Sequence, residues 1–165
     1  LSSSSAASDV YKRQILTISL FLSFSASAES RVFTRSFKTD ICTAWPDRLG
    51  KYDWSHCCVE HDLYLWAGGE FLQKKAANQR LHACVEKAST KFMADLMVFG
   101  IELGGRSPIR LREKKFANAW GETNTDTKLT IEELDQLIES LEPTQLAGYE
   151  ELLVPFITNL KKINQ

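Results

Sequence analysis

A chain of 165 residues with 44% hydrophobic and 25% charged side chains falls within ordinary globular usage and is long enough for one modest core. Its formal net charge of -1 and pI near 6.4 give no overall electrostatic drive toward nucleic acid, which is therefore not an expected partner. Beyond residue 28 no apolar stretch approaches the roughly 20 residues that a membrane span requires.

The Ser-rich segment 1–10 lacks an initiator methionine, reads as sequence joined to the gene, and is set aside from fold reasoning. Lys12 and Arg13 then precede the apolar run Ile15 to Phe24, followed by the small residues Ala26, Ser27 and Ala28. This is the pattern of a secretory signal peptide, so the mature protein is expected to begin near Glu29 and to be secreted or periplasmic. The chain divides into a leader with signal peptide (1–28), a main domain (29–121) and a C-terminal helical extension (122–165).

From Glu29 to Asp40 no period is clear, which predicts an irregular or partly helical lead-in, and Ile41 to Tyr52 reads as a loop. Asp53 and Ser55 are good N-cap types, and Trp54, Cys58, His61 and Leu65 recur at helical spacing until Gly68 and Gly69, predicting a helix over about 54–66. Beyond the glycines, Leu72, Ala76, Leu81, Val85, Ala88, Phe92, Leu96 and Phe99 fall close to one stripe, predicting a single longer helix packed antiparallel on the first. The stretch from Gly100 to Gly121 reads as irregular. Thr130 with Glu133 forms a capping box for a helix closed by Pro143, and a last amphipathic segment, 145–161, is interrupted or restarted at Pro155. The fold class expected is mainly α.

All four cysteines, Cys42, Cys57, Cys58 and Cys84, lie in the exported part, where disulfides are the expected state. Zinc is disfavoured, because a tetrahedral site would need the adjacent Cys57 and Cys58 and lacks a second close pair. Adjacent cysteines do not readily bridge each other, which leaves two connectivities, each joining loop to first helix and first helix to second. His61 follows one turn after Cys57, and Asp62 comes next; about 100 degrees apart on a helix, they cannot form a dyad but can flank one cleft. His61 suits a base for water and Asp62 a ligand for a hard cation.

The run Cys57-Cys58-Val59-Glu60-His61-Asp62 resembles the active-site helix of secreted phospholipases A2. In that family a loop cysteine precedes the second helix cysteine by sixteen positions, as Cys42 precedes Cys58, and a cysteine six positions after the catalytic acid pairs with the first helix cysteine, which puts the acid position at 78. The resemblance implies the bridges Cys42–Cys58 and Cys57–Cys84. A further bridge common in the family is missing at both ends, where Tyr64 and Ala77 stand, and features such as Leu63, Trp66, Gly68-Gly69 and Cys84-Val85 look like bacterial members. The likeness runs from about residue 40 to 119.

Three departures bear on activity. The loop reads Ile41-Cys42-Thr43-Ala44-Trp45-Pro46-Asp47 where better-known members are Gly-rich, Asn78 occupies the acid position, and Leu65 replaces a supporting tyrosine. The resemblance implies Ca²⁺ held by the carbonyls of Ile41, Thr43 and Trp45 and the carboxylate of Asp62, binding that survives side-chain changes better than catalysis does. It implies His61 as base, the Thr43 N–H and the ion as oxyanion donors, and hydrolysis of the sn-2 ester of a phospholipid at a membrane surface or micelle, weakened by Asn78.

The basic residues Arg106, Arg110, Arg112, Lys114 and Lys115 would greet anionic lipid or simply be solvated. His56 and His82 are assigned to the surface, and Trp45, Trp54, Trp66 and Trp120 to core or lipid interface. A rival calcium site, residues 122–133, resembles an EF-hand loop through Asn124, Asp126 and Glu133, but Glu122 and Thr127 replace its first Asp and turn glycine. A relative that binds calcium and lipid without turnover is the other alternative.

Overall fold

A computed structural model describes residues 31–106, 116–121 and 127–165. Among these the architecture is mainly helical, with five α-helices, one two-stranded hairpin and two disulfides. The hairpin pairs β1 (Arg48–Leu49) with β2 (Tyr52–Asp53), Arg48 opposite Asp53, around Gly50 at φ 58°. The helices are α1 (Ser55–Ala67), α2 (Phe71–Ala88), α3 (Lys91–Arg106), α4 (Ile131–Glu139) and α5 (Leu153–Asn164).

The first helix starts where expected. Its N-cap is Trp54, without a side-chain cap bond, and not Asp53 or Ser55; Asp53 Oδ1 instead accepts from the Ser55 N–H at 3.0 Å and from its hydroxyl at 2.6 Å, a local turn that fixes the chain as it enters α1. The helix is buried nearly all round, from Cys57 to Ala67, because one flank meets α2 and the other meets the C-terminal segment. Gly68 ends it at φ 77°, and a Cβ there would stand 2.7 Å from the Ala117 Cα, so glycine is required by both dihedral and space.

The single long helix expected after the glycines is two helices. At the break, the Ser89 hydroxyl donates to the Val85 carbonyl at 2.8 Å and ends α2, while Thr90 Oγ1 accepts from the Met93 N–H at 3.2 Å and opens α3. The turn changes the helical phase: Ala94 and Met97 face inward, whereas Phe92, Leu96 and Phe99 are exposed, as is Leu72. The expected common stripe is thus not one buried face. The irregular stretch expected from Gly100 is also corrected at its start, since α3 continues to Arg106 with Ile101 still packed inward.

Two apolar clusters share α1. The smaller holds Trp54, Leu81, Val85, Ala94 and Met97 around the two disulfides. The larger joins Val59, Leu63 and Trp66 to Trp120 and to Leu137, Leu146, Phe156 and Leu160, so the C-terminal segment packs directly on α1. The lead-in is extended: Phe33 bridges Trp120, and the Thr34 N–H donates to the Ala119 carbonyl at 2.8 Å. Trp66 and Trp120 meet Phe33 edge to face, which with the burial of Trp54 makes these three tryptophans core; Trp45 is half-buried.

The capping box of α4 forms as expected, with the Glu133 N–H donating to Thr130 Oγ1 and the Thr130 N–H to Glu133 Oε2 at 2.8 Å. Pro143 opens a 3-10 turn after α4 ends, and Pro155 lies in the first turn of α5, where its missing N–H costs nothing. Asn164 Oδ1 accepts from Leu129 N–H at 3.0 Å and from Gln73 Nε2 at 3.3 Å, tying the end of α5 to α2. Among the described residues no helix is long and apolar enough to cross a membrane. The leader and its cleavage position lie outside the described residues.

Candidate functional site

The cysteines decide which surfaces meet. Cys42–Cys58 pins the loop to α1 one turn before Asp62, and Cys57–Cys84 pins α1 to α2 one turn before His61. Both pairings are those the resemblance implied. His56 Nε2 lies 3.4 Å from Cys57 Sγ and near Cys84, but with both sulfurs spent on each other this trio is not a zinc site.

With the helices so registered, His61 Nε2 stands 2.9 Å from Asn78 Oδ1. The amide oxygen faces the ring and accepts, which places the proton on Nε2 and a lone pair on Nδ1. His61 is 6% exposed. Burial pushes its pKa below the ordinary 6.5, the Asn78 hydrogen bond opposes that shift, and the Lys74 charge adds to it. The ring is neutral at neutral pH and thus already in the form a general base requires.

Asp62 is half-buried and accepts from the Thr39 hydroxyl at 2.7 Å; Thr39 Oγ1 in turn accepts from the Ile41 N–H at 2.9 Å. This relay, with the Cys42–Cys58 bridge, ties the loop to the carboxylate. Within the loop, Asp47 Oδ1 accepts from the Cys42 N–H, the Trp45 N–H donates to the Cys42 carbonyl, and the Thr43 hydroxyl donates to Asp40. Ile41 and Ala44 hold φ values of 68° and 56°, a left-handed conformation that costs a β-branched residue on the order of 1–3 kcal/mol. Thr43 is exposed and Trp45 half-buried beside it. The Asp62 carboxylate is thus an oxygen donor tied to this loop, the donor type that hard cations take.

Two neighbours went unread in the sequence. Thr39 had no signal, being one of two threonines in an aperiodic stretch. Lys74 stands one helical turn before Asn78 on the same side of α2, a spacing that does locate it beside the histidine. Tyr64 and Ala77 are buried, and Tyr64 packs edge to face on Phe156 at 5.1 Å with the Arg80 guanidinium 4.5 Å above its ring. Leu65 offers its backbone carbonyl to the Ala117 N–H at 2.6 Å.

Of the EF-hand-like segment, residues 122–126 lie outside the described residues. Glu133 is 3% exposed, with its carboxylate accepting from the Arg31 N–H at 3.0 Å and lying 3.6 Å from the Arg31 guanidinium. Residues 107–115 of the basic cluster also lie outside, as does the side chain of Arg106. His82 is a surface residue, 2.7 Å from Asp95. Comparison of the chain with protein-family models, curated proteins and solved structures finds no match.

Proposed function

We propose that this protein is a calcium-dependent hydrolase of the sn-2 ester of glycerophospholipids, acting on a phospholipid membrane surface or micelle, with a rate limited by Asn78. The observation that carries this reading is the 2.9 Å contact of a buried, neutral His61 with the Asn78 carbonyl, beside an Asp62 tied to a strained loop. The two-helix frame with Cys42–Cys58 and Cys57–Cys84 supports the phospholipase A2-like fold and the loop as its calcium loop.

On this reading His61 Nδ1 accepts a proton from water as the water oxygen adds to the ester carbonyl, and returns it to the departing alkoxide, giving a lysophospholipid and a fatty acid. Asn78 keeps the ring in the Nε2–H tautomer but adds no charge to stabilise the imidazolium. The Thr43 N–H is the loop's donor to the developing oxyanion. Asp62 and the carbonyls of Ile41, Thr43 and Trp45 would hold Ca²⁺, which would supply positive charge for the substrate phosphate and the ester carbonyl.

The neutral Asn78 also favours a second reading, a calcium- and lipid-binding relative without turnover. The EF-hand-like rival needs Glu133, whose carboxylate is committed to Arg31 and the α4 cap. Fatty-acid release from phospholipid vesicles with and without calcium, using His61→Gln as the blank, tests the reaction. Calorimetric calcium titration of Asp62→Asn and Asp126→Asn tests the site: loss of binding in the first supports it, and loss only in the second transfers the metal to 122–133.

A further inference from the structure

Sequence sets Cys57 beside Cys58 and so disfavours zinc, but the fold brings a different trio together. His56 and Cys57 lie in the first turn of α1, and Cys84 meets them from α2, 27 residues after Cys57. His56 Nε2 lies 3.4 Å from Cys57 Sγ, and the three ligand-type atoms, one nitrogen and two sulfurs, all lie within 4.8 Å of one another. A tetrahedral zinc with Zn–S near 2.3 Å and Zn–N near 2.0–2.1 Å needs N···S separations of about 3.6 Å and an S···S separation of about 3.8 Å. The nitrogen is thus already in place. The Cα atoms of Cys57 and Cys84 are 5.7 Å apart, a span that also suits two side chains whose sulfurs stand about 3.8 Å apart on one ion. What excludes a metal from the trio is the covalent bond between its sulfurs.

We propose that in the dithiol state, which every chain occupies before its cysteines pair, His56, Cys57 and Cys84 hold one Zn²⁺. The ion displaces the two thiol protons, so two thiolates balance its charge, while His56 gives the Nε2 lone pair and keeps its proton on Nδ1. Three protein donors leave the fourth position to water. Thiolate and imidazole select zinc over hard cations that take oxygen, so Ca²⁺ does not compete here. His56 and Cys84 are half-buried and Cys57 is buried, so the ion reaches the sulfurs from the solvent side of the helix junction. Once bound, it ties α1 to α2 at the same point as the disulfide. Metal and disulfide are then alternative clasps on one frame. Transfer of two electrons from the thiolates to a disulfide oxidant joins the sulfurs and releases the ion.

The full chain is reduced with a phosphine, which takes the oxygen of a water molecule as each pair of sulfurs takes its hydrogens, and which brings no competing thiol. Zinc titration against a chromophoric chelator should give one ion per reduced chain with a dissociation constant of about 0.01–1 µM, and no binding in that range by the oxidised chain. Alkylation and peptide mapping of the reduced chain should find Cys57 and Cys84 protected by zinc, and Cys42 and Cys58 unprotected. His56→Gln should weaken binding about 10–100-fold. Co²⁺ in place of zinc should show a thiolate charge-transfer band that the double change Cys57→Ser with Cys84→Ser abolishes, and the zinc form should keep its helical circular dichroism. Affinity weaker than about 100 µM overturns the proposal. So does protection that falls on Cys42 and Cys58, binding indifferent to His56→Gln, or a zinc complex without the helical spectrum.

Discussion

Replacing Asn78 by Asp places a negative charge where a neutral carbonyl now stands, 2.9 Å from His61 Nε2. With the charge centres about 4 Å apart and an effective dielectric near 20, a carboxylate stabilises the imidazolium by about 4 kcal/mol, or about 10³ in rate. Partial burial of the new carboxylate offsets some of that gain, and low local polarity enlarges it, so the expected rise in kcat is on the order of 10²–10⁴-fold, the scale of the reverse change in serine proteases. The pH profile gives a second reading. With Asn78 in place, burial holds His61 below its ordinary 6.5, so the acid limb lies below that value; the carboxylate introduced by Asn78→Asp moves it upward. Both proteins are assayed on the same vesicles at saturating calcium, with His61→Gln as blank. A rate above the blank that is unchanged by the substitution, with an unmoved acid limb, would refute Asn78 as the histidine's electrostatic partner.

Gly68→Ala should destabilise the fold by about 2–3 kcal/mol in urea denaturation, because its Cβ would fall 2.7 Å from the Ala117 Cα at φ 77°. Glu133→Ala should cost about 3–5 kcal/mol by leaving the Arg31 guanidinium buried without its carboxylate, and Glu133→Gln less; a loss below 1 kcal/mol by either would remove this pair from the structural account. The double change Cys57→Ser with Cys84→Ser opens a 27-residue loop and should lower stability by about 3.5 kcal/mol, with mass mapping confirming that Cys42–Cys58 remains. Since the folded pKa of His61 lies below its unfolded 6.5, the unfolded chain binds the proton first as pH falls; stability is full above 6.5, declines below it, and that part of the decline should vanish in His61→Gln.

The helical class, the start and end of α1 and the α4 capping box were legible because each rests on local chemistry: periodicity, a capping hydroxyl, glycines at a turn; that the cysteines would be oxidised followed from the export signal, but which pairs form came only from the family resemblance. The break at Ser89 and Thr90 was also written locally, in two hydroxyl residues suited to capping, but apolar periodicity ran through it and outweighed them. Periodicity cannot say which side of a helix will find a neighbour, and so Phe92, Leu96 and Phe99 were assigned to a buried face that the change of phase turns outward. At the site, the sequence named His61, Asp62 and Asn78, yet it could not orient the Asn78 oxygen or lower the His61 pKa, since both depend on how two helices are clamped around residues 17 apart in sequence. Thr39 linking Asp62 to Ile41, and Glu133 turned to Arg31 102 residues away, were decided by tertiary structure alone. A polar side chain's partner is whatever the fold brings within about 3 Å of it, and no pattern of neighbours along the chain encodes that distance.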